Sequence, residues 1–495
     1  MSREERQGSP QEGCEKKLRC PEDCQVPYRT TECVENIFRT MESYEFFEKI
    51  SPQVVRRKFE EWEVVELYGF EYQFELLAKI AYLTFSPKIR RDIRDMRPIM
   101  VLVFGYPGTG KTPLLYLLLK KILEEYEGEI EIIEAIRVNC QRLVSLLEPE
   151  RVKEVLRKIE YWIDRRGHYT ILFLDEAEGI AFERGTEKAS ARRELTFWVM
   201  SLWDRKKRLL IVLVTNYPDL VDEAIRNRAD FVVYFTPVLG RNAIRKSLRT
   251  YVAHFWKKEL LSWASWNIDC EREEKRLELR KKLMEIVEEI VKEVFDEDEC
   301  ITKALEDLAE ELAKMSTECA CNPRNLYEGI KMAVKFYMCV RSGELAAKYP
   351  DVLVKEARRR SGQEVEPEVE NQYKEVKEVL KGFIKDFIKN KLKTYIYAFG
   401  GVFPLYSDVA GYEDRYCSII MAARRSMQHV VKIFDEIEET MLPRCIRDKH
   451  GRMYGIRCGR PCEERAAGGG GNGAEGAGGA AVAEAVASKA SSRSS

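Results

Sequence analysis

Five short runs of apolar residues set the strongest limit on the fold: IMVLVF at 99–104, EIEIIEAIRV at 129–138, YTILFLDE at 169–176, RLLIVLVTN at 208–216 and DFVVYF at 230–235. Runs of this length are too short for buried helices. Where they do not alternate with polar residues they leave no face for water, the pattern of a strand covered on both sides. Between them, at 113–126, 149–164 and 190–204, apolar residues return at helical spacing. Strand and helix in alternation predict an α/β fold, a doubly wound parallel sheet with helices on both faces. Such sheets hold ligands beyond the carboxyl ends of their strands, so the chemistry is sought there.

The α/β pattern occupies 60–237. Before it, 1–59 begins polar, with Cys14, Cys20, Cys24 and Cys33 irregularly spaced, and then carries aromatics and charges at helical spacing. After it, 238–342 reads as all-α and 343–465 as mostly helical, with helices expected over 372–394 and 417–441. The tail 466–495 is rich in Gly, Ala and Ser and cannot bury enough surface to fold. A net charge of −1 supplies no basic field for nucleic acid. The charged start, MSREERQGSP, is not a secretory leader. Runs such as LLIVLV at 209–214 fall well short of the about 20 residues needed to span a bilayer. A soluble, cytoplasmic protein without a membrane segment is expected. Cys445, His450, Cys458 and Cys462 could gather zinc as a Cys3His set, but their spacing is not a zinc signature, and buried thiols are the simpler reading.

The first run leads into GYPGTGKT, Gly105 to Thr112, which fits the pattern G-x-x-x-x-G-K-[ST] between a predicted strand and a predicted helix. Gly105, Gly108 and Gly110 let the backbone close around phosphate oxygens. Lys111 would bridge the β- and γ-phosphates of ATP, and the Thr112 hydroxyl would bind Mg2+. Pro107 and Thr109 belong to the same cradle. Pro113 follows, and it offers no amide hydrogen to a phosphate. The third run ends LFLDEAEG, delivering Asp175 and Glu176 to the carboxyl edge of the sheet. One carboxylate can hold Mg2+ and the next can polarise a water for attack on the γ-phosphate.

Together these segments resemble the AAA+ ATPases. GYPGTGKT is similar to their Walker A and ILFLDE to their Walker B, while LVTNYPDLVDEAIRNRADFVVYF resembles their second region of homology. The resemblance covers about 60–342 and implies that Asn216 is sensor 1 and Arg228 the arginine finger, with Arg226 as its neighbour or substitute. CNPRNLYEGIKMAV resembles the lid segment and places sensor 2 on Arg324. The chain around Tyr68 and Gly69 would border the adenine. Within the family, NRADFVVYF and the wording around Walker B are similar to the Pch2-type remodellers. The resemblance further implies ATP hydrolysis with Mg2+ at a subunit interface of a homo-oligomeric, hexameric ring that remodels a protein partner. The alternative is a nucleic-acid-associated ATPase of origin-binding or clamp-loader type, for which the basic knot at 354–362 is the only clustered positive stretch. One departure concerns the substrate loop. Where threading members carry an aromatic, a hydrophobic residue and glycine, this chain has Leu146, Leu147 and Glu148.

Overall fold

The computed structural model describes residues 46–86, 97–126, 130, 134–166, 170–180, 187–204, 209–236, 239–265, 268, 273–314, 321–341, 345, 348–399, 406–425, 428, 445–447 and 453–455. The chain divides into two units, Met1–Phe434 and Asp435–Ser495. The second unit contributes a hairpin of β7 (Cys445–Arg447) and β8 (Met453–Gly455), paired antiparallel with Ile446 opposite Tyr454. Cys445 opens that hairpin, while His450, Cys458 and Cys462 lie outside the described residues, as do 1–45 and the 466–495 tail.

The first unit is built on a six-stranded sheet of β1 (Phe47–Ile50), β2 (Ile99–Gly105), β3 (Glu134–Asn139), β4 (Thr170–Asp175), β5 (Leu209–Thr215) and β6 (Phe231–Phe235). Their order is β1-β3-β4-β5-β2-β6. Strands β2 to β6 run parallel, and every residue of β2, β4 and β5 is buried. The expected strands are therefore present, the second described over 134–139, with 129 and 131–133 outside the described residues. Strand β1 is an addition: FEKI pairs antiparallel with β3 at the sheet edge, where a region of helical spacing was read. Four residues with buried ends and half-buried middle are too few to establish a strand period.

Helices cover both faces. α1 (Pro52–Glu60) starts on proline and is capped by Ser51, whose Oγ accepts from the Val54 amide at 3.3 Å. α2 (Glu71–Phe85), α3 (Leu114–Glu125), α4 (Cys140–Leu146), α5 (Pro149–Arg166), α6 (Glu187–Trp203) and the short α7 (Glu223–Arg226) complete the layer. On one face Leu102, Ile136, Leu172 and Ile211 meet Trp162 and Trp198 in one apolar cluster.

From Arg241 onward the described residues of the first unit are mainly helical: α8 (Arg241–Ser265), α9 (Glu273–Glu297), α10 (Glu299–Lys314), α11 (Pro323–Arg341), α12 (Lys348–Arg360), α13 (Val369–Asp386), α14 (Leu392–Phe399) and α15 (Tyr406–Arg415). The helix expected at 372–394 is longer than its pattern, because one π turn at Phe387–Lys391 carries α13 into α14. The helix expected at 417–441 is observed over 417–425, and the rest falls mainly outside the described residues.

α15 and 417–425 return to the sheet. Tyr412, Tyr416, Ile420 and Ala423 pack against Phe104 of β2 and Tyr234 of β6. The Tyr416 hydroxyl donates to Asp219 at 2.6 Å, and Arg415 pairs with the same carboxylate. Tyr416 is 2 % exposed, and truncating a buried aromatic costs about 3–5 kcal/mol. Tyr416→Ala is expected to release 406–425 before the sheet unfolds. Limited proteolysis should then cut that segment first, while the α/β core stays intact.

Candidate functional site

The loop after β2 is shaped by close approaches. A Cβ on Gly105 would meet the Phe235 carbonyl oxygen at 2.4 Å, so glycine lets β2 and β6 lie together at their carboxyl ends. Gly108 and Gly110 have φ of +88° and +83°, a region costly for other residues. Lys111 is 6 % exposed. Its Nζ donates to the carbonyls of Gly105 (2.7 Å) and Tyr106 (2.9 Å) and to Thr109 Oγ1 (3.1 Å). Burial pushes the ammonium down to about 7, against the upward pull of Glu178 and Asp175. Pro113 sits at φ −72° just ahead of α3, and the first amide of the helix, that of Leu114, donates to the Lys111 carbonyl at 3.2 Å. Proline in this place breaks no intrahelical bond.

β4 delivers its acids beside this loop. Asp175 is 5 % exposed. Its Oδ2 accepts from Arg137 Nη2 at 2.6 Å and its Oδ1 from the Glu176 amide at 3.1 Å. Glu176 takes the left-handed conformation, φ 51°, rare away from glycine and concentrated at working sites. Two residues on, Glu178 accepts from Thr215 Oγ1 at 2.6 Å, and burial raises its carboxyl above the ordinary range. Asn216 follows β5, and its carbonyl accepts from the Tyr412 hydroxyl at 2.7 Å.

The helical region closes the other side. Asn322 caps α11: its Oδ1 accepts from the Arg324 amide at 2.9 Å while its Nδ2 donates to the Pro107 carbonyl at 2.9 Å. The Arg324 amide also reaches the Gly108 carbonyl at 3.0 Å. A Cβ on Gly108 would meet Asn322 Oδ1 at 2.7 Å, so that glycine serves the lid contact as well as the loop. Between these elements lies a cavity of about 590 Å³ bordered by Lys111, Thr112, Asp175, Glu176, Asn216 and Arg324. Its apolar wall comes from Val64, Val65 and Leu67 of the linker between α1 and α2, together with Tyr327.

Residues 101–237 match the family model of ATPases associated with various cellular activities (AAA). These residues form an AAA domain. The chain is 31 % identical over 195 residues to the proteasome-activating nucleotidase of Methanosarcina mazei, covering 38 % of this chain and 44 % of that protein. It is 30 % identical over 149 residues to the pachytene checkpoint protein 2 homolog of Gallus gallus, covering 28 % and 34 %. The chain thus spans less than half the length of these relatives. The crystal structure of the FIGL-1 AAA domain aligns with 69 % of the chain and 94 % of its own, at 16 % identity and a TM-score of 0.38.

Most of the sequence-derived residues border one cavity; Gly105 and Thr109 sit behind it, bonded to Lys111, and Gly69, Arg226 and Arg228 lie aside. Gly69 borders a neighbouring polar cavity at the start of α8, with its amide donating to Glu71 at 3.0 Å. Arg226 and Arg228 are on and just after α7, and neither is among the described residues bordering the AAA domain's own cavity. Arg228 Nη1 donates to the Ala224 carbonyl at 3.0 Å, and its guanidinium lies 5.4 Å from the Trp203 ring. Sequence reasoning held Asn322, Tyr327 and the Val64–Leu67 linker only within longer segments of family resemblance, with no role of their own, and missed Arg137. Only Asn322 carried a local signal, an Asn–Pro pair opening a helical pattern.

The family binds nucleotide, and a polyphosphate against Lys111 would hold the ammonium charged. Above pH 7 binding must then take up a proton. Between about pH 7.5 and 9 nucleotide affinity is expected to weaken, approaching tenfold per unit while the complex stays protonated. Calorimetry in buffers of different ionisation heat should register the uptake; a pH-independent affinity would show that Lys111 is already charged in the free chain.

Proposed function

We propose that the chain is a Mg2+-dependent ATP hydrolase that couples turnover to remodelling of a protein partner. The observation that carries the reading is the single cavity on which a phosphate-type loop, two strand-end acids, Asn216 and the lid residue Arg324 converge. Gly108 to Thr112 cradle the phosphates and Lys111 neutralises the β- and γ-groups. Thr112 and Asp175 offer the oxygen ligands that suit Mg2+, an ion that keeps several waters and takes few protein donors. Bound there, Mg2+ would neutralise charge on the transferred phosphoryl group. Glu176 orients the attacking water, Asn216 holds it toward the γ-phosphate, and Arg324 adds positive charge from the lid. The apolar wall of Val64, Val65 and Tyr327 suits the base.

Arg228 completes the site of a neighbouring subunit in a homo-oligomeric ring, with Arg226 beside it. That neither is among the described residues bordering the Lys111 cavity of their own chain supports that division of labour. The remodelling half of the reading draws on the relatives, a proteasome-activating nucleotidase and pachytene checkpoint protein 2 homologs. The substrate loop departs from the threading pattern: Leu146 ends α4 at 64 % exposure while Leu147 packs against the core, so the reading does not rest on that loop. The basic knot needed for nucleic acid is otherwise engaged: Arg359 and Arg360 bond Glu356, and Arg360 also bonds Glu289.

Lys111→Ala and Arg228→Ala chains are each expected to be inactive alone, and mixed assemblies to recover part of the hydrolysis by pairing an intact loop with an intact finger. Such fingers are worth about 10³–10⁵ in rate. A phosphate-release assay on mixed rings decides the matter; recovery absent from rings holding both chains would exclude the shared site. A Glu176→Gln chain should hold ATP unsplit and retain its protein partner on a column, and retention of mainly DNA or RNA would overturn the remodelling assignment.

Pro113→Ala should restore one amide donor and tighten ADP and ATP alike, by up to roughly tenfold for about 1.4 kcal/mol. Titration of both nucleotides checks this. Unchanged binding would mean that the missing amide faces no phosphate.

A further inference from the structure

Arg137 enters the site from an unexpected direction. It lies on β3, two residues before the strand ends, directly opposite Glu48 of the edge strand β1. From there its Nη2 reaches the buried Asp175 Oδ2 at 2.6 Å, while Nη1 stands 3.7 Å from Glu48 Oε2. Glu48 in turn accepts from the hydroxyl of Tyr116, a residue of α3 that borders the same cavity as Lys111. The result is a chain of charge-assisted contacts from the helix after the phosphate loop, through the edge strand, to the acid at the end of β4.

We propose that Arg137 is a positioning residue for phosphoryl transfer. By holding Oδ2 while the Glu176 amide holds Oδ1, it fixes the rotamer of that carboxylate, whose remaining lone pairs would serve Mg2+ or its bound water. Glu48 and Tyr116 keep the guanidinium in line. The inference rests on the reading of Asp175 as a metal-side acid. Three features support it over simple charge neutralisation. The guanidinium is planar and meets the carboxylate in a set orientation, which a flexible ammonium would not hold. The contact falls on a residue bordering the cavity. And Arg137 itself is braced from a second side by Glu48. Outer partners that orient metal-side ligands typically alter metal affinity or activity by about 10–100-fold when removed.

The test uses the full chain and compares wild type with Arg137→Lys, Arg137→Met and Asp175→Asn. Binding of a non-hydrolysable ATP analogue is measured by calorimetry in EDTA and across a Mg2+ titration, with kcat, KM and a thermal melt recorded alongside. In Arg137→Lys, which keeps the charge and thereby the fold, EDTA binding and the melt should match wild type. Its Mg2+ half-saturation should rise and its kcat fall by about tenfold, with KM little changed; Arg137→Met, where it folds, should go further, toward 100-fold. Wild-type Mg2+ dependence and kcat in Arg137→Lys would overturn the proposal. So would a loss of EDTA binding in step with the loss of Mg2+-supported binding, since that marks a structural ion pair. The underlying reading fails separately: Asp175→Asn would then show the same Mg2+ response as wild type.

Discussion

The register of three buried strands governs the site. Phe104 of β2 lies opposite Thr215 of β5, and Leu174 of β4 opposite Leu213. Those pairings bring the start of the phosphate loop, Asp175 and Asn216 to one level at the carboxyl edge. In strands buried on both faces, apolar burial alone does not choose a register, because a slip exchanges one apolar side chain for another. The polar ends must do so. Thr215 is held by Glu178 and Asp175 by Arg137. Each of these groups is buried or half-buried, and a slip would leave it without its partner at a cost of about 1–3 kcal/mol or more. The same contacts that define the chemistry therefore also choose among alternative sheets.

Legibility in the sequence followed distance along the chain. The loop, the strand-end acids and Asn216 are short-range signals: residue types and order within a few positions, tied to a strand that is apolar throughout. Asn322 was half visible as a helix cap, but its bond to the Pro107 carbonyl joins residues more than 200 apart along the chain and leaves no local trace. Arg137 was invisible for a different reason. Within EAIRVN it reads as one polar position of an edge-side strand, and only the β1–β3–β4 stacking shows that it faces Asp175. The edge strand itself was hidden because four residues between helical patterns carry no period of their own. Gly69 was placed by resemblance, and its surroundings at the start of α8 come from a lid packing that no spacing encodes.

The carboxyl end of the first unit brings a second set of constraints to the same edge. Tyr412 donates to the Asn216 carbonyl and stacks edge-on against Tyr106 of the phosphate loop, with ring centroids 5.4 Å apart. Tyr234 of β6 donates to Glu413 at 2.8 Å. A helix more than 160 residues downstream of β6 thus contacts both the loop that holds Lys111 and the backbone that presents Asn216. Aromatic pairs of this kind contribute about 0.5–1.5 kcal/mol beyond their burial. That is enough to bias the position of the segment after β5 without locking it.

Two arginines of the chain sit in contrasting environments, which bear on the roles proposed for them. Arg137 is inside, with its guanidinium against Asp175 and Glu48, and burial there is tolerable only because both acids are within reach. Arg228 has no carboxylate among its described contacts. It rests on a carbonyl and the face of Trp203, whose other guanidinium neighbour, Arg97, is paired with Asp230. A ring face and a single carbonyl hold a cation in place while leaving most of its hydrogen-bond donors unspent. A residue that must meet an anion from another subunit needs that combination of fixed position and unspent donors. A residue that must hold an acid of its own chain needs the opposite, and in that sense the two environments agree with the roles proposed for Arg228 and Arg137.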